Sequence, residues 1–340
     1  MQPREIPLTP RASLRDVIGG RARLVGSRTA IGRSDLELTP GVVSPYEARE
    51  AMGLRYGDPV IEEARYERRR TPVRDASLLA RWALTRIARK KGAPEEREPR
   101  PHVVSADVDA VDTSEAIGRI LGWLHERRGA RVYFVHPHAL NLAARDTELR
   151  SELARADLVL PDGVGLKVAA AILGQHFPAN VNGTDLVPEL LVELAAERLP
   201  VVLIGGEDGV AQRAGEIWSR STGVKVAGAW HGFLEDEDYR RVAQSIRAIG
   251  PCVVLVAMGT PHQERFVARY LADLPEAVSI TVGGLLDFAS GEKVRAPIEW
   301  RELGMEWAWR LLHEPKRLGK RYLVGNPEFV LRAVAQRMTR

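Results

Sequence analysis

Five loops concentrate the glycine, proline and polar side chains that can do chemistry. The first is P-D-G-V-G, which follows the apolar run Leu158–Leu160 and sets Asp162 between Pro161 and Gly163. A carboxylate held by such a turn at a strand end can take a proton from a hydroxyl. It can equally cap a helix starting near Val164, the commoner role for an Asp so placed. N-V-N-G-T-D-L, Asn180–Leu186, offers Asn182, Thr184 and Asp185. Thr184 or Asp185 suits the cap of the following helix, and Gly183 suits close approach of a ligand to the backbone. I-G-G-E-D-G-V-A, Ile204–Ala211, brings Gly205 and Gly206 to a helix start, where a phosphate can be cradled. It lacks the G-K-[ST] of a P-loop and is not a full dinucleotide fingerprint. M-G-T-P-H-Q-E-R-F, Met258–Phe266, carries Gly259, His262, Gln263 and Glu264. G-G-L-L-D-F-A-S-G presents Gly283, Gly284 and Asp287, and paired glycines admit a ligand close to the main chain.

Two further features bear on charge. Asp107–Asp109 reads D-V-D, an Asp-x-Asp such as metal-dependent sugar transferases use, but it lies just before a helix, where turn and cap roles are the rule. The acidic run Glu235–Asp238 opens another helix, where negative charge suits the dipole. The eight histidines form no H-E-x-x-H pattern, so no metal is expected. Near the C-terminus, E-W-A-W-R-L-L-H-E-P-K-R-L-G-K-R-Y spaces Arg310, Arg317 and Arg321 near helical turns beside Trp307, Trp309 and Tyr322. Guanidinium groups suit a diphosphate, and Trp and Tyr suit a membrane–water boundary. A basic amphipathic helix on the surface has the same pattern.

These loops need a frame. From Val103 onward, short β-branched runs alternate with amphipathic segments. Strands are predicted at Val132–Val135, Leu158–Leu160, Val201–Ile204, Lys225–Ala227, Val253–Ala257 and Ser279–Val282. Helices are predicted at Ser114–Arg127, Glu148–Ala154, Val164–Leu173, Leu186–Glu197, Gly209–Ser221, Glu235–Ile249 and Gln263–Leu271. Such alternation implies an α/β fold, a mostly parallel sheet with helices on both faces and ligands at the carboxyl ends of the strands. Residues 1–92 read as an irregular segment with one amphipathic helix, Ser77–Lys91, suited to a membrane surface or to docking on the next domain. Residues 93–101 read as a charged, Pro-rich linker, 102–306 as the main domain and 307–340 as a basic helical appendage.

Composition narrows the classes. The 340 residues are 45% hydrophobic and 28% charged, an ordinary globular balance. The one cysteine, Cys252, permits no disulfide within a chain and no cysteine zinc site, which fits a reducing cytosol. No apolar run reaches the roughly 18 residues of a spanning helix, and the first residues lack the apolar core of a signal peptide. The net charge of +4 is uneven. Residues 1–100 hold 21 basic and 14 acidic side chains, 307–340 hold 8 and 2, and the stretch between holds 20 and 29. Basic ends around an acidic middle suit an anionic membrane or a phosphate-bearing ligand. Nucleic-acid binding is disfavoured, with no recognition motif visible. A nicotinamide-dependent oxidoreductase is disfavoured because no G-x-G-x-x-G opens the first helix.

Taken in order, P-D-G-V-G, N-G-T-D-L, G-T-P-H-Q-E, G-G-L-L-D-F-A-S-G, V-R-A-P, E-W-A-W-R-L and E-P-K-R resemble the WecG/TagA/CpsF glycosyltransferases, glycosyltransferase family 26, over roughly Val103–Tyr322. The resemblance implies a Rossmann-like enzyme that moves an N-acetylmannosamine-type sugar from a UDP donor to a polyprenyl-diphosphate-linked sugar, with inversion and without a metal or other cofactor. It implies Asp162 as general base, Gln263 in the pocket, and a basic tail with Arg310, Arg317 and Arg321 closing over the diphosphate at the cytoplasmic face of the membrane. The glycines at 163, 205, 206, 259, 283 and 284, with Asn182, Asp185 and Asp287, are expected around the donor. One departure stands out: F-V-H-P-H places Phe134 and His136 where the family commonly has Thr and Asn, which leaves a non-catalytic nucleotide-sugar-binding or scaffold module as the rival reading. Residues 1–92 more faintly resemble the end of a bacterial polyprenyl-phosphate sugar-phosphate transferase without its catalytic pair, which suggests a tether to the membrane or to a partner transferase. A homo-oligomer fits as well.

Overall fold

A computed structural model describes residues 12–26, 39–46, 63, 66–68, 70–72, 74–76, 78–79, 100–178, 181–297, 300 and 306–339. The chain divides into two compact units, Met1–Glu96 and Arg97–Arg340. Most of the helix expected at Ser77–Lys91, and of the linker expected at 93–101, lies outside the described residues. In the first unit, helix α1 (Leu14–Ile18) starts with a reciprocal cap: the Ser13 hydroxyl accepts from the Asp16 N–H, and the Asp16 carboxylate accepts from the Ser13 N–H. Strands β1 (Arg23–Val25) and β2 (Gly41–Val43) pair in parallel. Val25, Val43, Tyr66 and Leu78 pack together. A segment with few periodic runs thus holds a small apolar cluster of its own, drawn from residues too far apart to give a local signal.

The second unit opens with the hairpin β3 (His102–Val103) and β4 (Ala106–Asp107). The D-V-D carboxylates go separate ways. Asp107 meets His102 Nδ1 at 2.7 Å, whereas Asp109 accepts the Val159 N–H at 2.7 Å. These are hairpin and anchoring roles; the expected cap of the following helix falls to Asp112 instead. Helix α2 (Thr113–His125) follows, capped reciprocally by Asp112 and Glu115. Its Ala116, Ile117, Ile120 and Leu124 lie on one buried face.

The remaining elements alternate. They are β5 (Ala130–Val135), α3 (Pro137–Ala143), α4 (Thr147–Ala154), β6 (Leu158–Pro161), α5 (Val164–Ile172), α6 (Gly183–Ala196), β7 (Val201–Gly205), α7 (Val210–Thr222), β8 (Val226–Trp230), α8 (Asp236–Ile249), β9 (Cys252–Ala257), α9 (His262–Phe266, running into a π turn at Val267–Leu271), β10 (Ala277–Thr281) and α10 (Leu285–Ala289). Beyond them lie α11 (Glu306–His313), α12 (Pro315–Gly319), a π turn at Lys320–Val324 and α13 (Gly325–Met338). Strands β5 to β10 form one sheet in the order β6-β5-β10-β9-β7-β8, with every pairing parallel. Strand β8 runs further than the predicted Lys225–Ala227. As a half-exposed edge strand, its G-A-W end shows no apolar run.

Alternate strand residues feed two separate cores, as a two-sided sheet demands. Val132, Phe134, Leu158, Leu160, Leu203, Leu255 and Ile280 face α2, α6, α7 and α10. Tyr133, Val135, Val159, Ile204, Val254 and Val256 face α3, α4, α5, α8, α9 and α13. Each fully buried Val, Leu or Ile contributes about 1.5–3 kcal/mol. The last helix belongs to this packing, because Phe329 and Ala333 of α13 are buried in the second core against α3 and α5. Among the described residues no helix is long and apolar enough to cross a membrane.

The topology sets the site. The chain leaves β5 for β6 on one side, and its last strand, β10, pairs on the other. The crevice outside the carboxyl ends of β5 and β10 is therefore the switch point at which open α/β sheets bind ligands. The loops after β6, β5, β10 and β9 surround it, and they carry Asp162, His136, Gly283 and Gly259.

Candidate active site

Asp162 is fixed by the main chain. The Val135–Pro161 register ends β6 beside β5, and the Asp162 N–H donates to Val135 O at 2.8 Å. The cap of α5 is Gly163, with φ +90° and no side-chain cap bond, so the Asp162 carboxylate is not spent on capping. Its pKa is pushed up to about 6, first by burial and then by the carboxylate of Glu306. Arg310 and Arg321 pull it down, and Asp185 adds a smaller push upward. A carboxyl group so tuned is ionised at neutral pH yet basic enough to take a proton.

The charges around it come from far along the chain. Helix α11 presents Glu306 and Arg310, four residues apart and so on one face. The Arg310 guanidinium stacks 5.3 Å over Phe288 and lies against Gly284. Arg321 comes from the π turn after α12, with its Nη2 3.0 Å from His136 Nε2. Two guanidiniums and the Glu306 carboxylate thus bear on Asp162 at the open end of the sheet. A separate cavity of about 470 Å³ lies where β9 and β10 begin, at the opposite edge. It shares no residue with this site, and its Arg127 is held by Glu276 through two bonds of 3.0 and 2.8 Å.

Residues 101–340 match the model of the glycosyl transferase WecG/TagA/CpsF family. The chain belongs to that family. It is 31% identical over 209 residues to an N-acetylglucosaminyldiphosphoundecaprenol N-acetyl-beta-D-mannosaminyltransferase of Bacillus spizizenii, an alignment covering 61% of this chain and 80% of the relative. It is 31% identical over 196 residues to the enzyme of the same name from Bacillus subtilis, covering 57% and 76%. As a member of the WecG/TagA/CpsF family it is a glycosyltransferase.

Within this WecG/TagA/CpsF site, several expected ligand residues turn out to hold the frame. Gln263 is buried: its Oε1 accepts the Gly283 N–H at 3.0 Å, and its Nε2 donates to Glu264 Oε1 at 2.9 Å. It is a strut between the loop after β9 and the glycine turn after β10. Gly283 sits at φ +55° in that turn, a conformation that side chains rarely adopt. Replacing Gln263 with Leu would leave the Gly283 N–H unpaired, at a cost of about 1–3 kcal/mol, and the buried Glu264 with the Thr260 hydroxyl as its remaining donor. Thermal unfolding should therefore shift down by several degrees, with KM for donor rising alongside.

The cap of α6 is Asn182, not Thr184 or Asp185. Asn182 Oδ1 accepts from the Asp185 N–H at 3.0 Å, and Asn182 Nδ2 donates to Asp185 Oδ2 at 2.7 Å. The helix accordingly starts at Gly183 rather than at Leu186. Gly183 admits not a ligand but the Phe134 ring, which would stand 3.3 Å from an added Cβ. Asp185 is gripped by Arg295 of V-R-A-P at 2.6 Å, and Arg295 also bonds Thr184 Oγ1 at 2.7 Å. Asp287 pairs with Lys293 at 2.7 Å. Gly205 allows β7 and β9 to approach, since a Cβ there would lie 2.2 Å from Ala257 O. Gly206 continues that contact, its N–H donating to Ala257 O. Gly259 follows β9 at the rim, before the cis Thr260–Pro261 bond. Arg317 is not brought to Asp162. It is exposed and paired with Glu314.

The F-V-H-P-H stretch is only partly strand. Pro137 starts α3, so His136 is the cap of that helix, with Nδ1 accepting the Ala139 N–H at 3.0 Å. Phe134 points into the first core. Arg295, Glu306 and the pairing of His136 with Arg321 escape sequence reasoning. V-R-A-P was the one available hint for Arg295. Nothing local marks a contact between residues 136 and 321.

Proposed function

We propose that the chain transfers an N-acetylmannosamine-type sugar from a UDP donor to a polyprenyl-diphosphate-linked N-acetylglucosamine, in cell-surface polysaccharide synthesis at the cytoplasmic face of the membrane. The observation that carries this reading is Asp162 at the switch point, raised to about 6 by burial and Glu306 while Arg310 and Arg321 pull it down. The names of the Bacillus relatives supply the sugars and the lipid.

In this reading the acceptor hydroxyl gives its proton to Asp162 as its oxygen attacks the anomeric carbon. The bond to the β-phosphate oxygen breaks on the opposite face, and its electron pair leaves with UDP. One displacement inverts the centre. Arg310 and Arg321 offset the charge that grows on the leaving diphosphate, work that fixed cations do well in a site shielded from water. That assignment needs neither a metal nor a cofactor. The Gly283–Gly284 turn lies two strands from β6, about 10 Å, and the Gly205–Gly206 turn four strands, about 19 Å. This run suits an extended nucleotide sugar whose reacting end lies at Asp162. Exposed Leu312, Leu323, Leu331 and Met338 stand in a stretch that also carries Lys316, Arg317, Lys320 and Arg337, as suits a peripheral contact with anionic lipid.

The test is to incubate the full chain with UDP-N-acetylmannosamine and the lipid-linked acceptor, with and without a chelator, and to follow the lipid by mass spectrometry. We expect a gain of one N-acetylhexosamine, insensitive to the chelator, with the new linkage of opposite anomeric configuration to the donor. Binding of UDP without transfer from any UDP-sugar would overturn the reading in favour of a non-catalytic module.

A further inference from the structure

His136 stands where the family commonly has Asn, and its two ring nitrogens make incompatible demands. The Ala139 N–H donates to Nδ1 at 3.0 Å, so Nδ1 presents a lone pair. The ring is neutral, since burial and the neighbouring Arg321, His138 and Arg310 hold its pKa well below the usual histidine value. A neutral imidazole carries one proton, and with Nδ1 occupied as acceptor that proton is on Nε2. Yet Nε2 lies 3.0 Å from Arg321 Nη2, which is also a donor and never an acceptor. Two N–H groups therefore face one another. Arg321 Nε, next to them, is buried and has no partner among the described residues. Three donors thus lie side by side with no acceptor for them among the described residues, and an anionic oxygen there would satisfy all three.

We propose that His136 Nε2–H and the Arg321 guanidinium together form a subsite for one diphosphate oxygen, so that His136 is a binding residue of this site and not only a helix cap. The inference rests on the reading of this cleft as a diphosphate-handling site. The diphosphate can belong to the nucleotide or to the prenyl lipid. A neutral donor beside a cation recognises the oxygen without adding a second full charge to be neutralised when the cleft is empty. An Asn at this position would still cap α3, but its amide is too short to reach where Nε2 stands.

The test compares the wild-type chain with His136→Asn by calorimetry, using inorganic pyrophosphate, UDP, uridine and geranyl diphosphate as probes. Loss of a hydrogen bond to a charged group predicts pyrophosphate binding weakened about tenfold to hundredfold, with uridine affinity and melting temperature unchanged. A matching loss for UDP alone assigns the oxygen to the donor, and a loss for geranyl diphosphate alone assigns it to the lipid. Equal pyrophosphate affinity in the two proteins overturns the subsite, whatever UDP does. Pyrophosphate binding that depends on His136, with no affinity for UDP, keeps the subsite and sinks the nucleotide reading instead. A second measurement needs no variant: in ¹⁵N-labelled histidine spectra, saturating pyrophosphate should leave His136 neutral with its proton on Nε2. A proton on Nδ1 in that complex would overturn the proposal.

Discussion

Asp162→Asn should lose 10²–10⁴-fold in turnover, the usual share of a general base, while retaining UDP affinity and gaining stability at neutral pH. The gain follows from linkage. The folded-state pKa of about 6 lies above the ordinary carboxyl value of 3.8, so the folded chain holds this proton more tightly than the unfolded one. Stability from this group is therefore lost as pH rises from about 4 to about 6, and the penalty is complete above 6. Asparagine removes a penalty of up to about 3 kcal/mol. Thermal unfolding of the pair should differ most at pH 7.5 and converge as the pH falls through 5, while steady-state kinetics record the loss of turnover. An equally active variant would mean that the carboxylate is not the base, and one less stable at neutral pH would mean that it is not strained by its surroundings.

Arg310→Gln should lower turnover by about 10²–10³-fold, the typical effect of removing one fixed group that stabilises developing charge. It carries a second signature. Arg310 pulls the Asp162 pKa down, so without it the acid limb of the pH–rate profile should move to higher pH. Glu306→Gln should move that limb to lower pH, because Glu306 pushes the same pKa up. The two residues lie one helical turn apart on α11, so opposite shifts would tie the helix to the chemistry. Unmoved limbs in both variants would detach α11 from Asp162 and leave Arg310 as a partner of the Phe288 ring.

The sheet was legible because buried parallel strands announce themselves. Runs such as Val253–Ala257 are continuously apolar, and the helices between them carry one apolar stripe each. Asp162 was legible for a related reason, a polar residue at a Pro–Gly turn after such a run. What escaped was contact between distant segments. Glu306 and Arg310 act on Asp162 across more than a hundred residues, and no periodicity records that. The family resemblance implies a pocket role for Gln263, but its amide is spent on Gly283 and Glu264. The tail illustrates the limit best. Its basic composition reads as an appendage, whereas Phe329 and Ala333 seat α13 in the core. Deleting everything after Glu306 would therefore damage packing and chemistry together, and single arginine replacements separate the two.

The pairing of Val132 with Ile280 also governs how the enzyme comes into being. Strand β5 reaches β6 through the connection that carries α3 and α4, whereas its other neighbour, β10, comes from the far end of the domain. Closing so long a loop is entropically uphill and slow, as for any topology rich in distant contacts. The carboxylate travels with one side of that seam and the glycine turn of Gly283 with the other. If Asp162 and the Gly283 turn act together as proposed, activity on refolding is expected only once the seam has closed. Regain of turnover after denaturation is therefore expected to follow β10 pairing rather than the formation of helices, which stopped-flow circular dichroism alongside activity recovery would check.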